Sequence, residues 1–201
     1  MKTTWFWRMA IVALIGAALL LVPTVAAAAD MAVNLNLVGA WRTMQNQKDW
    51  PGVEKGEAYG LEATWGGQDE PIHFATDFYM TRSSEPFAEG GVHLKTYELA
   101  IGLRKIWEVK WLHPYVGAGF SWLHDISVIP GPSRDSRDRD SALGVWIGGG
   151  MFARFSEHWN LGVMARITPG RDVRVHGEKR NAGTAMYGFV VGYGWGAPKK
   201  K

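Results

Sequence analysis

The sequence predicts an all-β chain: an eight-stranded antiparallel up-and-down transmembrane β-barrel, preceded by a cleaved signal peptide. Three observations carry that prediction. Between Tyr187 and Trp195, large apolar residues stand at 187, 189, 191, 193 and 195, and three of the four residues between them are glycine. A β-strand sends alternate side chains to opposite faces, so one face here is wholly apolar and the other nearly bare. The bare face suits the crowded interior of a small closed barrel and the apolar face suits lipid. Seven further segments of roughly ten residues repeat the period of two, the length that crosses a bilayer at a tilt. Their connections alternate short and long, as in barrels with short turns at one rim and long loops at the other.

The chain divides into a signal peptide at 1–29, a barrel at 30–196 and a short basic tail at 197–201. Lys2 and Arg8 form a positive leader, Met9 to Val22 an apolar run too short for a comfortable membrane helix, and Ala26 to Ala29 a small-residue cleavage site before Asp30. Loss of Lys2 and Arg8 lowers the net charge from +3 to +1, and no basic block interleaved with aromatics points to nucleic acid. There is no cysteine, which excludes disulfides, thiolate nucleophiles and zinc–thiolate sites. No later apolar run reaches the ~18 residues of a membrane helix, so membrane entry requires a closed barrel.

Strand one, 31–42, sets Val33, Leu35, Leu37 and Trp41 against Asn34 and Asn36. Strand two, 58–66, sets Tyr59, Leu61, Ala63 and Trp65 against Glu62 and Thr64. Strand three, 71–81, sets Ile72, Phe74, Thr76, Phe78 and Met80 against His73, Ala75, Asp77 and Tyr79. Strand four, 92–107, sets Tyr97, Leu99, Ile101 and Leu103 against Glu98, Ala100, Gly102 and Arg104; Val92 and Leu94 have the opposite parity, which predicts a bulge or a late start. Strand five, 113–124, sets Val116, Ala118, Phe120 and Trp122 against Tyr115, Gly117, Gly119 and Ser121. Strand six, 141–155, sets Leu143, Val145, Ile147, Met151 and Phe155 against Gly144, Gly148, Gly150 and Arg154, and Trp146 falls among the inner residues without explanation from periodicity. Strand seven, 159–168, sets Leu161, Val163, Ala165 and Ile167 against Gly162, Met164 and Arg166. Strand eight is the terminal alternating stretch. The short connections follow strands two, four and six; the long ones span 43–57, 82–91, 125–140 and 169–183. A soluble lipocalin also has eight strands, but its outer face is polar and its loops need not alternate. An even strand count brings both ends of the barrel to the periplasmic rim.

Trp65, Trp107, Trp111, Trp159 and Trp195 fall at short-turn ends of strands, and Trp41 and Trp122 near long-loop ends. Two interfacial girdles require that placement, because an indole joins an apolar body to an N–H that seeks water or headgroups.

His113-Pro114-Tyr115-Val116-Gly117-Ala118-Gly119-Phe120 and the run from Gly148 through Arg154-Phe155-Ser156-Glu157-His158-Trp159 to Gly162 resemble the small outer-membrane β-barrel domain family. That family includes opacity proteins, OmpA-type transmembrane domains and outer membrane protein W. The resemblance implies a bacterial outer-membrane location, insertion by the barrel-assembly machinery, and contact with outer-membrane lipid and lipopolysaccharide. It diagnoses a fold rather than a task. Phe189, Val191, Tyr193 and Trp195 supply the alternating assembly signal, although Gly196 to Lys201 follows where family members often stop.

The inward face carries Glu62, Asp77, Glu98, Arg104, Arg154 and Arg166, with His73. Glu62, Asp77, Glu98 and Arg166 count near mid-height and Arg104 and Arg154 lower. An eight-stranded barrel is just wide enough for side chains to fill it, so these charges are expected to pair and plug the lumen. The reading is a non-enzymatic protein with a structural, envelope-stability or surface-interaction role. The first alternative is a narrow channel for small or hydrophobic solutes, resembling outer membrane protein W. A lipid-modifying enzyme is disfavoured: Arg166-Ile167-Thr168-Pro169 stands where a late-strand His-x-Ser-Asn would be expected, and no nucleophile–base pair is evident. No catalytic, cofactor or metal residue is assigned; the six histidines lack ligand spacing. The loop charges Arg134 to Asp140 with Arg171, Arg174, Lys179 and Arg180 read as a solvated surface, or as a contact for lipopolysaccharide phosphates.

Overall fold

A computed structural model describes residues 31–67, 70–85, 92–129, 136–170, 172–175 and 178–195. The signal peptide, the tail and Arg134, Asp135 and Arg171 lie outside them. Eight strands close a barrel: β1 (Met31–Met44), β2 (Lys55–Gly67), β3 (Ile72–Glu85), β4 (Val92–Ile106), β5 (Leu112–Ile129), β6 (Ser136–Arg154), β7 (Trp159–Thr168) and β10 (Thr184–Trp195). Each pairs antiparallel with its sequence neighbour, and β10 pairs with β1. A small hairpin, β8 (Asp172–Val175) and β9 (Glu178–Asn181), stands between β7 and β10.

The register sets the shape. A row of paired residues leaves β1 at Val33 and passes through Trp65, Phe74, Leu103, Ala118, Ile147, Ile167 and Ala185. It returns to β1 at Thr43, ten residues beyond Val33. A stagger of that size in eight strands tilts them by about 40° and leaves an interior narrow enough for side chains to fill most of it. Every residue of the row points outward. The outer face is a belt of exposed apolar side chains such as Leu37, Phe78, Leu99, Phe120, Val145, Val163 and Phe189.

Several expectations are corrected. β4 starts at Val92 and pairs with β3 without interruption from Glu85↔Val92 to Ile72↔Lys105, so there is no bulge. Leu94 simply points inward and is buried against Met44, Trp50, Val53, Leu123, Val173 and Ala182. That cluster is an apolar cap at the long-loop rim. Loop side chains supply much of it. Trp50, which follows a single 3-10 turn at Gln47–Asp49, donates its Nε1–H to the Asn181 carbonyl at 2.7 Å. The Asn181 amide in turn donates to Asp49 Oδ2 at 2.9 Å.

Of the expected long loops at 82–91 and 125–140, the described residues 82–85, 125–129 and 136–140 are strand. β3, β4, β5 and β6 run on, with pairing up to Ile129↔Ser136. Their charged residues lie past the lipid belt, where strand pairing still satisfies the backbone. The loop at 169–183 holds the β8–β9 hairpin. It docks on β6 through the Arg174 amide, which donates to Asp140 Oδ2.

Trp146 also finds its reason. Its ring lies over the two facing strands at Gly102 and Gly117, where a Cβ would sit 2.8 Å and 3.0 Å from the indole. The glycines of β4 and β5 thus open a notch that the tryptophan of β6 fills, and its Nε1–H donates to the Ile101 carbonyl at 3.3 Å.

Candidate functional site in the lumen

The inward positions of β2, β3, β4 and β7 bring five of the charged residues into one network. Arg166 donates from Nη1 to Asp77 Oδ2 at 2.9 Å and from Nη2 to Glu98 Oε1 at 2.7 Å. Arg104 donates from Nη2 to Asp77 Oδ1 at 3.2 Å and from Nη1 to Thr64 Oγ1 at 2.6 Å, and lies 3.6 Å from Glu62 Oε2. Asp77 is therefore the hub, shared by both guanidinium groups. Tyr79 donates its hydroxyl to Glu62 Oε1. Flat faces hold the cations from the sides: the Arg166 guanidinium is 4.3 Å from the Trp146 ring centroid and 5.0 Å from that of Tyr79, and Arg104 is 5.0 Å from Tyr115. Such stacking favours a desolvated cation.

The network is shielded from solvent. Relative exposure is 0% for Asp77, 2% for Glu62, 3% for Arg104 and Arg166, and 4% for Glu98. Arg104 belongs to it although its residue count from the short turn placed it lower. The stagger raises each strand relative to the previous one around the barrel, and the long side chain covers the rest.

Arg154 does not join. It is the last residue of β6, at the short-turn rim, and has no carboxylate within ion-pair distance among the described residues. It lines a cavity of about 290 Å³ with His73, His113, Asn34, Thr64, Glu70 and Glu108. Beside it runs an amide relay: Asn160 Nδ2 donates to Asn34 Oδ1 at 2.7 Å and Asn34 Nδ2 to Asn36 Oδ1 at 3.0 Å. Above the network, Arg42 donates to Ser83 Oγ at 2.7 Å, and the Thr81 and Thr96 hydroxyls share a hydrogen bond. Arg42, fully inward on β1 beyond Trp41, was missed; its parity with Asn34 and Asn36 was the available signal.

Outside, Trp65, Trp107, Trp111 and Trp159 are exposed at the short-turn rim with the half-buried Trp195, and Trp41 and Trp122 are exposed toward the other rim. They come in aromatic groups: Trp65 stacks on Phe74 with centroids 4.9 Å apart, Trp41 on Tyr187 at 5.8 Å, and Tyr193 lies 5.2 Å from Trp159 and 4.8 Å from Trp195.

One nucleophile–base pair is present, contrary to expectation. His124 and Ser141 stand opposite each other on β5 and β6, with His124 Nδ1 2.8 Å from Ser141 Oγ on the exposed face. Separation by 17 positions hid it from motif reading. The neighbouring Asp140 accepts the backbone N–H groups of Arg174 and Ser141, which hold its carboxyl below the usual carboxylate range. It is thus bonded to backbone rather than orienting the imidazole as in a catalytic triad. Among the described residues no cluster of His, Asp and Glu is suited to hold a metal ion.

No protein-family model matches the sequence, and no curated protein matches it. Solved structures do. Neisserial surface protein A (NspA) superposes with a TM-score of 0.55 at 13% identity, over 83% of this chain and 97% of that one. The chain has the fold of the small eight-stranded outer-membrane barrels. OprG from Pseudomonas aeruginosa matches it with a TM-score of 0.55 at 10% identity, over 83% of this barrel and 96% of that chain. Ail, the attachment invasion locus protein of Yersinia pestis, solved with the heparin analogue sucrose octasulfate, gives 0.55 at 8% identity, over 82% and 97%. At such identities the likeness speaks for fold alone.

Proposed function

We propose that this barrel is a non-enzymatic protein of the bacterial outer membrane with a structural, envelope-stability or surface-interaction role and a lumen that does not conduct. The observation that carries the reading is the double closure of the interior. Five paired charges fill the middle and an apolar cap seals the long-loop rim. In this orientation the short turns face the periplasm and the tryptophans of both rims form the interfacial girdles.

Outer-membrane lipid and lipopolysaccharide are the partners the outer face fits. Arg82 and Lys95 stand directly opposite each other, exposed, just past Met80 and Tyr97 at the long-loop edge of the belt. Like charges directly opposite destabilise a sheet. Glu57 stands opposite Arg82 on its other side and offsets part of that repulsion, and a lipid phosphate beside Lys95 offsets the rest. Insertion by the barrel-assembly machinery completes the partner set.

The test is single-channel recording of the purified barrel in planar bilayers beside an ester-hydrolysis assay on outer-membrane lipid. Silent bilayers and no hydrolysis are expected. Sustained conductance steps would favour a narrow solute channel. Hydrolysis lost in Ser141→Ala would overturn the non-enzymatic reading.

A further inference from the structure

The lower lumen contains a cation that the closure does not use. The Arg154 guanidinium is partly buried, yet it donates no hydrogen bond to any described residue, and its Nε is buried without a partner. Arg104 and Arg166 leave their Nε unpartnered in the same way, but their Nη groups are each held by two carboxylates, which those of Arg154 lack among the described residues. A guanidinium offers five N–H donors in a rigid fork that matches a carboxylate or phosphate group. The buried Nε–H is left unmet, which is costly.

The surroundings form a receptacle for it. Phe152 lies beside it, with the Arg154 Cζ 6.0 Å from its ring centroid and the His113 ring stacked on it at 5.0 Å. Gly194 on the opposite side has no side chain, and Nη2 lies 3.7 Å from the place its Cβ would occupy. Arg154 thus borders the 290 Å³ cavity with its Nη groups free of a carboxylate among the described residues. That volume admits a molecule of several heavy atoms, and its lining includes Thr64, which accepts from Arg104 of the charge network. Glu70 and Glu108 also line it, outside ion-pair distance of Arg154.

We infer that this cavity is a binding site for a small oxyanion, a carboxylate or phosphate group, anchored in two-pronged fashion by Arg154 and reached from the short-turn rim. The neighbouring carboxylates Glu70 and Glu108 oppose a bare anion and set its affinity; a ligand that also bears a cation meets both signs. The site goes beyond the proposed structural role, and binding in detergent solution is measurable whether or not the barrel conducts.

Calorimetric titration of the micelle-folded barrel with inorganic phosphate and with acetate, at ionic strength held constant with chloride, tests it. Saturable one-to-one binding of at least one of the two is expected. Arg154→Gln weakens it at least tenfold, and Glu108→Gln tightens it several-fold by removing a repulsive charge. Phosphate without acetate narrows the ligand to a phosphate group. Non-saturating heats for both anions, equal binding by Arg154→Gln, or weaker binding by Glu108→Gln would each overturn the inference. Should Arg154→Gln not fold, Arg154→Lys, which keeps the charge and loses the fork, together with Glu108→Gln decides the matter.

Discussion

Arg166 is the residue whose removal most directly tests the closed lumen. Three carboxylates, Glu62, Asp77 and Glu98, are held by two guanidinium groups; Arg166→Met leaves three against one. Methionine keeps much of the stem that lies against Trp146, so the change is mainly one of charge. Both lost contacts are short, 2.9 Å to Asp77 and 2.7 Å to Glu98, and every partner is at most 4% exposed, so solvent screening gives no discount. Breaking a buried pair from one side costs about 3–5 kcal/mol, because the other charge stays behind. Glu98→Gln alone keeps an oxygen acceptor and costs roughly 1.5–3 kcal/mol, the range for hydrogen bonds to charged groups. Removing both partners strands less charge, so the double variant falls short of additivity by about 1–3 kcal/mol. Urea unfolding in detergent micelles, followed by tryptophan fluorescence, measures all three. A cost for Arg166→Met below about 1 kcal/mol, the level of exposed ion pairs, or strict additivity with Glu98→Gln, would refute a desolvated network.

Three other outcomes are expected. Gly102→Ala places a Cβ 2.8 Å from the Trp146 ring and against the Ala118 carbonyl, so overpacking lowers stability by about 1–3 kcal/mol and alters the near-ultraviolet circular dichroism of that indole. Trp50→Ala empties the apolar cap; a fully buried tryptophan costs about 3–5 kcal/mol, and protease cleavage in 43–57 and 169–183 of inserted protein should accelerate well above that of the wild type. Asp140, beyond the lipid belt, has its carboxyl held below the ordinary value by the Arg174 and Ser141 amides, so its contribution is present above the unfolded-state pKa and fades as pH falls through the lower folded one. The protection factor of the Arg174 amide, its exchange relative to the intrinsic rate at the same pH, should therefore fall below the usual carboxylate range, and Asp140→Asn should reproduce the lost protection at neutral pH.

What could be read in the sequence was whatever depends on one strand at a time. Parity within a strand is set by the pleat, so the outward set from Leu35 to Val191 and the inward set from Asn34 to Arg166 were legible from alternation alone. The same held for the placing of most tryptophans at strand ends. Leu94 and Trp146 looked misplaced because their burial is decided by other strands: Leu94 by the loop residues Trp50 and Val173 beside it, Trp146 by Gly102 and Gly117 facing it.

The charged residues divide in the same way. That Arg104, Arg154 and Arg166 point inward follows from parity, but which of them meet Asp77 does not. The ten-residue stagger of the closed sheet turns distance along the chain into a different height on each strand; Arg104 sits close enough below Ala100, the partner of Asp77, to reach it, whereas Arg154 ends its strand at the rim. The His124–Ser141 contact depends likewise on β5–β6 register. Period-two chemistry by itself determined a membrane barrel with a charged interior. Closure and stagger, which exist only when all eight strands are joined, decided which charges cancel and which one is left facing a cavity.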